Sequence, residues 1–485
     1  MPLRPFRRNQ AWLLPPTLDN FLADDHPARF VAEFLDQLDP VLLWELEGNP
    51  LGDPMGQPAY HPHALLNVWV YGFMMGVRSC RKLEGACRDQ IPFLWLSGNQ
   101  RPDHNTLWRY YVAHREDMRW LLQQSVRVAV RAGLVELALQ AVDGTKIAGN
   151  ASPDRTYSAA EMERLLKRTE GAIEDLEAQN ATGGDPPPPR LPEDLAEQNA
   201  LRERVRAALK QIEEEGLKYR NLTDGDAHLL KSHRGYVTGY NAQAMVSPVV
   251  LDTGQGLLIT AADVVSEGDD HPQLQPMMAQ AAENTQRPGE VTTLADAGYY
   301  SASNLLASEG QEVLVPSPQE GKGKRNPYHK DHFVYEQAAD SYRCPQGQAL
   351  PFVGMEWHPQ GYRRRVYQGE GEICRGCPAF GQCTRDPRGR RLRVGEYEPV
   401  HQRHRQMMQR EAARACYGRR KELVEPVFGI IKEQQGGRRF LLRSLAKVRA
   451  EWSLLAVGFN LKSLWRAWKA QFLGWQGMPL NSQVL

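Results

Sequence analysis

Three acidic residues stand in sequence contexts that suit metal-dependent chemistry. Asp143 follows the apolar run 134–142, Asp296 follows the run 290–295, and Glu425 lies among apolar and cationic residues near the C-terminus. Hydrolysis of a phosphodiester by two metal ions needs carboxylates that converge on those ions. Mg²⁺ suits this task because it takes few carboxylates and keeps several waters. We expect the three acids to meet if separate structural elements bring them together.

Each aspartate also has a purely structural interpretation. Asp143 with Gly144 after a strand is a common hairpin signal, and Asp296 before Ala-Gly is typical of a turn. His271 follows Asp269 and Asp270. It could act beside a metal or as a general base, or belong to a helix cap that one of these aspartates forms.

The neighbour of the third acid limits its geometry. Pro426 disfavours helical geometry for Glu425 and is best tolerated in a first helical turn. We therefore predict that Glu425 lies at a helix start or kink and faces a sheet. Lys421 and Lys432 fall near the same helical face, where they could contact phosphates beside a scissile bond.

A second group of candidate ligands consists of cysteines. Two of them form a Cys-x-x-Cys pair, and the set is Cys344, Cys374, Cys377 and Cys383. Four thiolates match the ligand number and softness of a structural zinc, and reduced thiols in a small β-rich insert are the alternative. The neighbouring arginine runs 363–365 and 388–393 suit contacts to phosphate.

The N-terminal part has a helical pattern from residue 18 to about residue 133. Within it, residues 79–88 predict a helix, 98–103 a turn, and 104–111 a basic, aromatic helix that contains Arg109. This order suits a helix-turn-helix that enters the major groove, and an ordinary helical bundle is the alternative.

The middle of the chain alternates between strand and helix patterns. Strands are predicted at 134–142, 239–247, 256–265, 290–295 and 311–316, so we expect a mixed α/β sheet. Residues 159–181 and 195–217 predict two charged helices, and the proline-rich stretch 182–192 between them cannot be helical. These helices should form an antiparallel hairpin.

Composition excludes few functions. The 485 residues hold 59 basic and 58 acidic side chains, so the net charge does not indicate a nucleic-acid partner, although the region 363–449 is rich in arginine. No export signal and no apolar run near the ~20 residues of a membrane span is present. We expect a cytoplasmic protein with reduced cysteines.

Together these segments resemble the DDE transposases of bacterial insertion sequences. The resemblance is carried by Gly76-Val-Arg-Ser-Cys-Arg-Lys-Leu-Glu, Asn99-Gln-Arg-Pro-Asp-His-Asn-Thr, Val142-Asp-Gly-Thr-Lys, Gly239-Tyr-Asn-Ala-Gln, Ala295-Asp-Ala-Gly-Tyr and Val424-Glu-Pro-Val-Phe-Gly-Ile-Ile-Lys. The third acid of that family lies in a Y-x-x-R-x-x-x-E-x-x-x-x-x-x-K signature. Here Glu425 and Lys432 keep the family spacing, whereas Tyr417 and Arg420 are each displaced by one residue.

The resemblance implies an RNase H-like catalytic domain with inserts. We expect a helical DNA-binding domain (1–133), an RNase H-like core (134–158 and 219–320), a charged helical hairpin insert (159–218), a Cys-rich basic insert (321–400) and a C-terminal catalytic and packing region (401–485). It also implies a homodimer on double-stranded DNA, which would include terminal inverted repeats and target DNA.

The resemblance further implies roles for individual residues. Asp143, Asp296 and Glu425 would hold two Mg²⁺ or Mn²⁺ ions. The expected DNA contacts are Lys432, Lys421, Arg420, Tyr417, Lys146, Tyr299 and Arg109. Two alternatives remain open: an RNase H-like nuclease or resolvase without strand transfer, and a catalytically inactive, zinc-containing DNA-binding protein.

Overall fold

The computed structural model describes residues 17–38, 59–181, 191–232, 235–251, 254–286, 291–318, 326–358, 363–395 and 397–474. Within these residues the protein is a mixed α/β structure, as predicted. Most of the proline-rich stretch 182–192 lies outside the described residues.

Six α-helices form the described residues of the N-terminal part. They are α1 (Pro27–Asp36), α2 (Pro62–Met75), α3 (Cys80–Asp89), α4 (Ile91–Leu96), α5 (His104–His114) and α6 (Trp120–Arg131). Side-chain caps define two starts: Ser79 accepts from the Lys82 N–H, and Asp103 accepts from the Thr106 N–H. The predicted helix-turn-helix is wrong in one respect, because α4 lies between α3 and α5. The apolar residues Phe93 and Leu96 of α4 are buried, so this segment packs as a helix of its own.

A mixed sheet forms the centre. It contains β1 (Leu139–Ala148), β4 (His228–Ser232), β5 (Gly235–Leu251), β6 (Gly254–Val265), β7 (Thr292–Leu294) and β8 (Val313–Leu314). The order is β4-β5-β1-β7-β8, and β6 also pairs with β5. The pairs β1–β5, β4–β5 and β5–β6 are antiparallel, whereas β1–β7 and β7–β8 are parallel.

The first strand differs from the prediction. The run 134–142 was expected to end at Asp143, but β1 extends to Ala148 and Asp143 pairs with Ala244 of β5. The hairpin-turn interpretation of Asp143 is therefore wrong. The long strand β5 provides backbone partners beyond Gly144, so the ladder continues through the Asp-Gly pair.

Helices cover both faces of the sheet. The C-terminal helices are α12 (Glu398–Gln409), α13 (Glu411–Gly418), α14 (Arg420–Glu433) and α15 (Leu445–Gly474), while α9 (Leu274–Thr285) and α10 (Ala302–Ala307) precede them. One core contains α1–α6, α14, α15 and side chains such as Ala141 of β1. A second core, on the opposite face, joins Val142 to Leu274 and Met277 of α9. Successive residues of β1 thus enter different cores, because neighbouring side chains of a strand point to opposite faces of the sheet.

Two further units extend from this centre. The helices α7 (Ala159–Ala181) and α8 (Leu191–Glu215) pack together through Met162, Val205, Ala208 and Ile212, beside the short pair β2 (Thr156–Tyr157) and β3 (Arg220–Asn221). A five-stranded antiparallel sheet has the order β13-β12-β11-β10-β9. Its strands are β9 (Val334–Glu336), β10 (Ser341–Arg343), β11 (Ala349–Trp357), β12 (Arg363–Gln368) and β13 (Arg391–Gly395), with helix α11 (Gly371–Arg375) between the last two.

Candidate active site

Asp143 and Asp296 follow the paired segments of two neighbouring parallel strands. β1 pairs with β7 from Leu139 opposite Thr292 to Ala141 opposite Leu294. Asp143 is two residues beyond Ala141 on β1, and Asp296 is two residues beyond Leu294, in the turn where β7 has ended. The charge of Asp296 also contributes to raising the pKa of Asp143, which agrees with a short separation.

Asp143 is a poorly solvated carboxylate with one cationic partner. Burial raises its pKa to about 6, and the nearby guanidinium of Arg420 opposes this rise. Arg420 Nη1 lies 3.1 Å from Asp143 Oδ2, and the Gly144 N–H donates to Oδ1 at 2.8 Å. A carboxylate in such a place gains from any further cation that reaches it.

Asp296 is held by the turn that follows β7. Its Oδ1 accepts from the Gly298 N–H at 2.8 Å and caps the short 3₁₀ helix Ala297–Tyr299. The turn interpretation of this residue is therefore confirmed. The same turn directly follows β7, the strand that pairs with β1, on which Asp143 lies.

Glu425 lies on α14, and its side chain is exposed. The helix begins at Arg420 and contains Pro426 in its interior, so the prediction of a helix start at Glu425 is wrong. A proline inside a helix costs about 3 kcal/mol or more. The helix nevertheless continues, because Leu423, Val424, Val427, Phe428 and Ile431 bury one face against β1 and β5.

Two cations of α14 contact β1 at or near Asp143. Lys432 Nζ donates to Thr145 Oγ1, two residues beyond Asp143 on β1. Burial lowers the pKa of Lys432, and Arg438 lowers it further, whereas Asp143 raises it. Arg420, one residue out of the family register, contacts the acid, while Lys421 at the family position is exposed. Tyr417 is half-buried, and it lies close enough to Arg420 to add to the rise that Asp143 causes in the pKa of the Arg420 guanidinium.

The other expected DNA contacts have different surroundings. Lys146 Nζ pairs with Asp270 at 3.2 Å. Tyr299 is fully buried and donates its hydroxyl to Gln243 Oε1, so its phenol is directed into the protein. Arg109 is exposed on α5.

Sequence reasoning missed Asp270 as a member of this site. It was considered only as a helix cap, but its side chain makes no capping bond, and the neighbouring Asp269 accepts from the His271 N–H instead. Asp270 receives hydrogen bonds from Lys146, Asn241 and Gln243. No local sequence signal points to this role, because Asp270 is distant in sequence from both Asp143 and Asp296.

The cysteines line one cavity of about 40 Å³ on the five-stranded sheet. Backbone N–H groups of Gln348, Ala379 and Arg390 donate at 3.3–3.4 Å to the sulfurs of Cys344, Cys377 and Cys374 respectively. Burial raises the pKa of Cys383, and the charges of the other three thiols add to this rise. The four groups are therefore neighbours, and three sulfurs have hydrogen-bond donors that would stabilise thiolates.

Whether a divalent ion can bind to these acids depends on the ligand atoms that the surrounding residues supply. Within the described residues, no group of three or more His, Cys, Asp or Glu side chains is arranged to hold a metal as it stands. Asp143 and Asp296 nevertheless supply two adjacent hard oxygen donors, and a Mg²⁺ ion needs only one or two carboxylates with waters. Among the residues that the structure describes, none donates a hydrogen bond to the buried Asn241 Oδ1. These residues fit a magnesium-type ion.

The paired acids and the cations around them define a candidate site for chemistry on a phosphodiester. The comparisons identify the class of protein. Residues 343–465 match the family model described as a transposase DDE domain, and residues 16–113 match one described as a transposase domain (DUF772). Two parts of the chain thus match transposase domain families, and the resemblance inferred from its sequence is confirmed.

The two matches cover separate parts of the molecule. The DDE match begins at the last residue of β10 and spans β11–β13, α14 with Glu425, and most of α15, whereas Asp143 and Asp296 lie between the matches. No curated protein and no solved structure matches the chain. In the part of the chain that the structure describes, no helix has both the length and the apolar character needed to cross a bilayer.

Proposed function

We propose that this transposase cleaves DNA at the terminal inverted repeats of an insertion sequence and transfers the freed 3′ ends to target DNA. The observation that carries the proposal is that Asp143 and Asp296 lie just beyond the paired segments of β1 and β7 and close enough to interact electrostatically, with Arg420 on Asp143 and Lys432 on Thr145. In this proposal the central sheet is an RNase H-like core. The α7–α8 hairpin and the five-stranded sheet are its inserts, within the boundaries given by the sequence.

Asp143 and Asp296 would hold the metal, and Glu425 would complete the set. Two Mg²⁺ or Mn²⁺ ions, when bound, supply activation of the attacking oxygen and stabilisation of the leaving oxygen. Glu425 is exposed on α14, so its carboxylate is accessible from the solvent side of the site. Arg420 would leave Asp143 when a metal replaces it as the neutralising cation, and it would then be available to a phosphate.

The remaining roles follow from position and charge. Lys432 and Lys421 would contact the phosphates that flank the scissile bond, while Tyr417 and Lys146 would orient the strand. Arg109, on the exposed face of α5, would contact DNA away from the cut. Coordinated cleavage of two ends predicts a homodimer on DNA, with the α7–α8 hairpin as its interface.

A structural zinc in the cysteine cavity is the second part of the proposal. It is supported by the four neighbouring thiols and by the backbone N–H groups that point at three of them. A zinc there would tie Cys344, which precedes β11, to the segment between β12 and β13 that carries the other three cysteines.

The test is a cleavage and joining reaction. Purified protein, Mg²⁺ and DNA that bears the element's terminal repeats should give nicked ends and joined products. Asp143→Asn, Asp296→Asn and Glu425→Gln should each lower product formation by at least about 100-fold, a loss typical of removing a group that stabilises a transition state. Glu422→Gln, an exposed acid three residues before Glu425 on the same helix, is the matched control.

The alternatives give other outcomes. Cleavage without joined products would identify a nuclease. Binding of the repeat DNA without either product, unchanged by Asp143→Asn, would identify an inactive DNA-binding protein. Full activity of Glu425→Gln would remove Glu425 from the metal-binding set.

A further inference from the structure

Asp270 lies at the junction of the elements that carry the two paired acids. Its Oδ1 accepts hydrogen bonds from Lys146 Nζ at 3.2 Å, Asn241 Nδ2 at 2.7 Å and Gln243 Nε2 at 2.8 Å. Its Oδ2 lies 3.4 Å from the same lysine nitrogen. Lys146 is three residues beyond Asp143 on β1, and the two amides belong to the adjacent strand β5. One carboxylate therefore gathers donors from both strands.

The same network reaches the turn that carries Asp296. Gln243 donates to Asp270 through Nε2 and accepts from the Tyr299 hydroxyl through Oε1. Tyr299 is fully buried and ends the 3₁₀ helix that Asp296 caps. Gln243 thus links Asp270 to the segment 296–299 through side chains that have no contact with water.

A second set of bonds ties the backbone beside Asp270 to that turn. His271 Nε2 lies 3.0 Å from the Tyr300 carbonyl oxygen, and Asn304 Nδ2 donates at 2.8 Å to both the His271 and the Tyr299 carbonyl oxygens. The position of Asp270 is therefore fixed relative to Asp296 from two directions.

The two glycines near the paired acids explain how this carboxylate fits. A Cβ on Gly144 would lie 2.7 Å from Asp270 Oδ1 and 2.3 Å from Gln243 Nε2, closer than atoms can approach. A Cβ on Gly298 would lie 3.4 Å from Asp270 Oδ2 and 2.8 Å from Asp296 Oδ1. Glycine at both positions leaves the space that Asp270 and its partners occupy.

We propose that Asp270 is a positioning residue that holds the turn carrying Asp296 against β1, the strand that carries Asp143. It acts from the face of β1 that carries Lys146, opposite the face that carries Asp143. The inference rests on the proposed metal-dependent function of these two acids. A charged acceptor is needed because three donors, one of them cationic, converge on it in a half-buried place, and an unpaired donor there would be costly. Without Asp270, these donors would lose their acceptor, and the turn that carries Asp296 would lose its side-chain link to β1 and β5.

The test compares Asp270→Ala and Asp270→Asn with the wild-type protein. Asp269→Ala is the matched control, because Asp269 is a neighbouring acid whose side chain is bonded to His271. The first readout is Mn²⁺ binding to the DNA-free protein, measured by electron paramagnetic resonance. The second is the Mg²⁺ concentration for half-maximal cleavage, with kcat and the KM for DNA. Circular dichroism and thermal unfolding report whether each variant is folded.

We expect Asp270→Ala to weaken Mn²⁺ binding at least about tenfold, the size of loss typical of residues that orient metal ligands. The half-maximal Mg²⁺ concentration should rise in parallel and kcat should fall, while the KM for DNA changes little. Asp270→Asn should recover part of the Mn²⁺ affinity, because its amide oxygen can still accept from Asn241 and Gln243. The same variant should not restore the charge that holds Lys146.

A folded Asp270→Ala protein with wild-type Mn²⁺ affinity would overturn the proposal, as would an equal loss in Asp269→Ala. If the alanine variant does not fold, the folded asparagine variant decides by the same measurement. A wild-type protein that binds Mn²⁺ but cleaves no repeat DNA would contradict the proposed function alone, since Mn²⁺ binding would still report on Asp270.

Discussion

At the scale of single residues, the environment of Asp143 carries the chemistry. Its carboxylate is mostly buried, and one guanidinium compensates part of its charge. A buried acid with only partial compensation retains its proton to a higher pH, and it favours any cation that can enter. This is the physical reason for placing a metal at Asp143 in the proposed function.

The raised pKa of Asp143 predicts a pH-dependent stability without metal. The folded pKa of about 6 exceeds the ordinary aspartate pKa of 3.8, so the folded protein binds this proton more tightly than the unfolded chain. The contribution of this proton to the unfolding free energy is complete below pH 3.8, and it is lost as the pH rises through about 6. Between pH 4 and 7 the wild-type protein should lose roughly 2–3 kcal/mol more unfolding free energy than Asp143→Asn.

Urea unfolding of both proteins in EDTA measures this difference. Parallel pH profiles for the wild-type protein and Asp143→Asn would contradict it.

The ion pair between Arg420 and Asp143 predicts a second, separate effect. Both side chains are largely buried, so Arg420→Met should lower the unfolding free energy at pH 8 by about 1–3 kcal/mol, since it leaves a carboxylate without its partner. The loss should shrink at pH 5, where Asp143 holds a proton. Arg419→Met is the control, because Arg419 is more exposed and lies 3.8 Å from Glu136. Equal losses for the two variants would show that the pair does not stabilise the fold.

At the scale of elements, α14 links the sheet to the candidate site. Its apolar residues pack on β1 and β5. Arg420, at the start of the helix, and Lys432, near its end, both contact side chains of β1. The helix tolerates Pro426 because burial of its apolar face outweighs the lost backbone hydrogen bond. The proline is therefore a local cost within an element that tertiary packing stabilises.

Replacing that proline should stabilise the helix. Pro426→Ala restores a backbone donor and removes the ring clash, so the unfolding free energy should rise by about 1–3 kcal/mol. Gly429→Ala, in open space on the same helix, should give a smaller gain of about 0.5–1 kcal/mol. Chemical unfolding followed by circular dichroism checks both values. A destabilised Pro426→Ala protein would mean that the proline fixes a bend that the packing requires.

The five-stranded sheet gives a prediction about metal content. If the cysteine cavity holds zinc, the purified protein should contain about one zinc per chain by elemental analysis, and Cys374→Ser or Cys377→Ser should lose it. Cys416→Ser, a half-buried cysteine on α13, is the control that should keep the metal. If the wild-type protein is prepared without chelators and contains no zinc, the cysteines are reduced thiols without a metal.

At the scale of the whole molecule, the N-terminal helices and the sheet form one cooperative body. They share a single core, and Arg78 after α2 pairs with Glu451 of α15 at 2.9 Å with both side chains almost fully buried. Arg78 also donates to the Gly436 and Arg439 carbonyl oxygens, and Glu451 accepts from the Leu441 and Leu442 N–H groups. The transposase domain at the N-terminus is thus fastened to the segment that follows α14.

Breaking this junction should affect the entire protein. Arg78→Met leaves Glu451 buried without its partner, so the unfolding free energy should fall by about 3–5 kcal/mol. Tryptophan fluorescence and circular dichroism should still report a single transition. The exposed Arg81→Met is the matched control and should change stability by less than about 0.5 kcal/mol. Two separate transitions for the wild-type protein would contradict a shared core.

The sequence by itself determined the mixed α/β class, the bounds of α7, the protein family and the acids to examine, because periodicity and local motifs record these features. The tertiary structure decided the rest. Only the ladder with β5 shows that Asp143 lies inside a strand, and only packing allows Pro426 inside α14. Asp270 is distant in sequence from both acids that it adjoins, so no local pattern could place it there. Long-range pairing decides such contacts, and sequence spacing does not encode them.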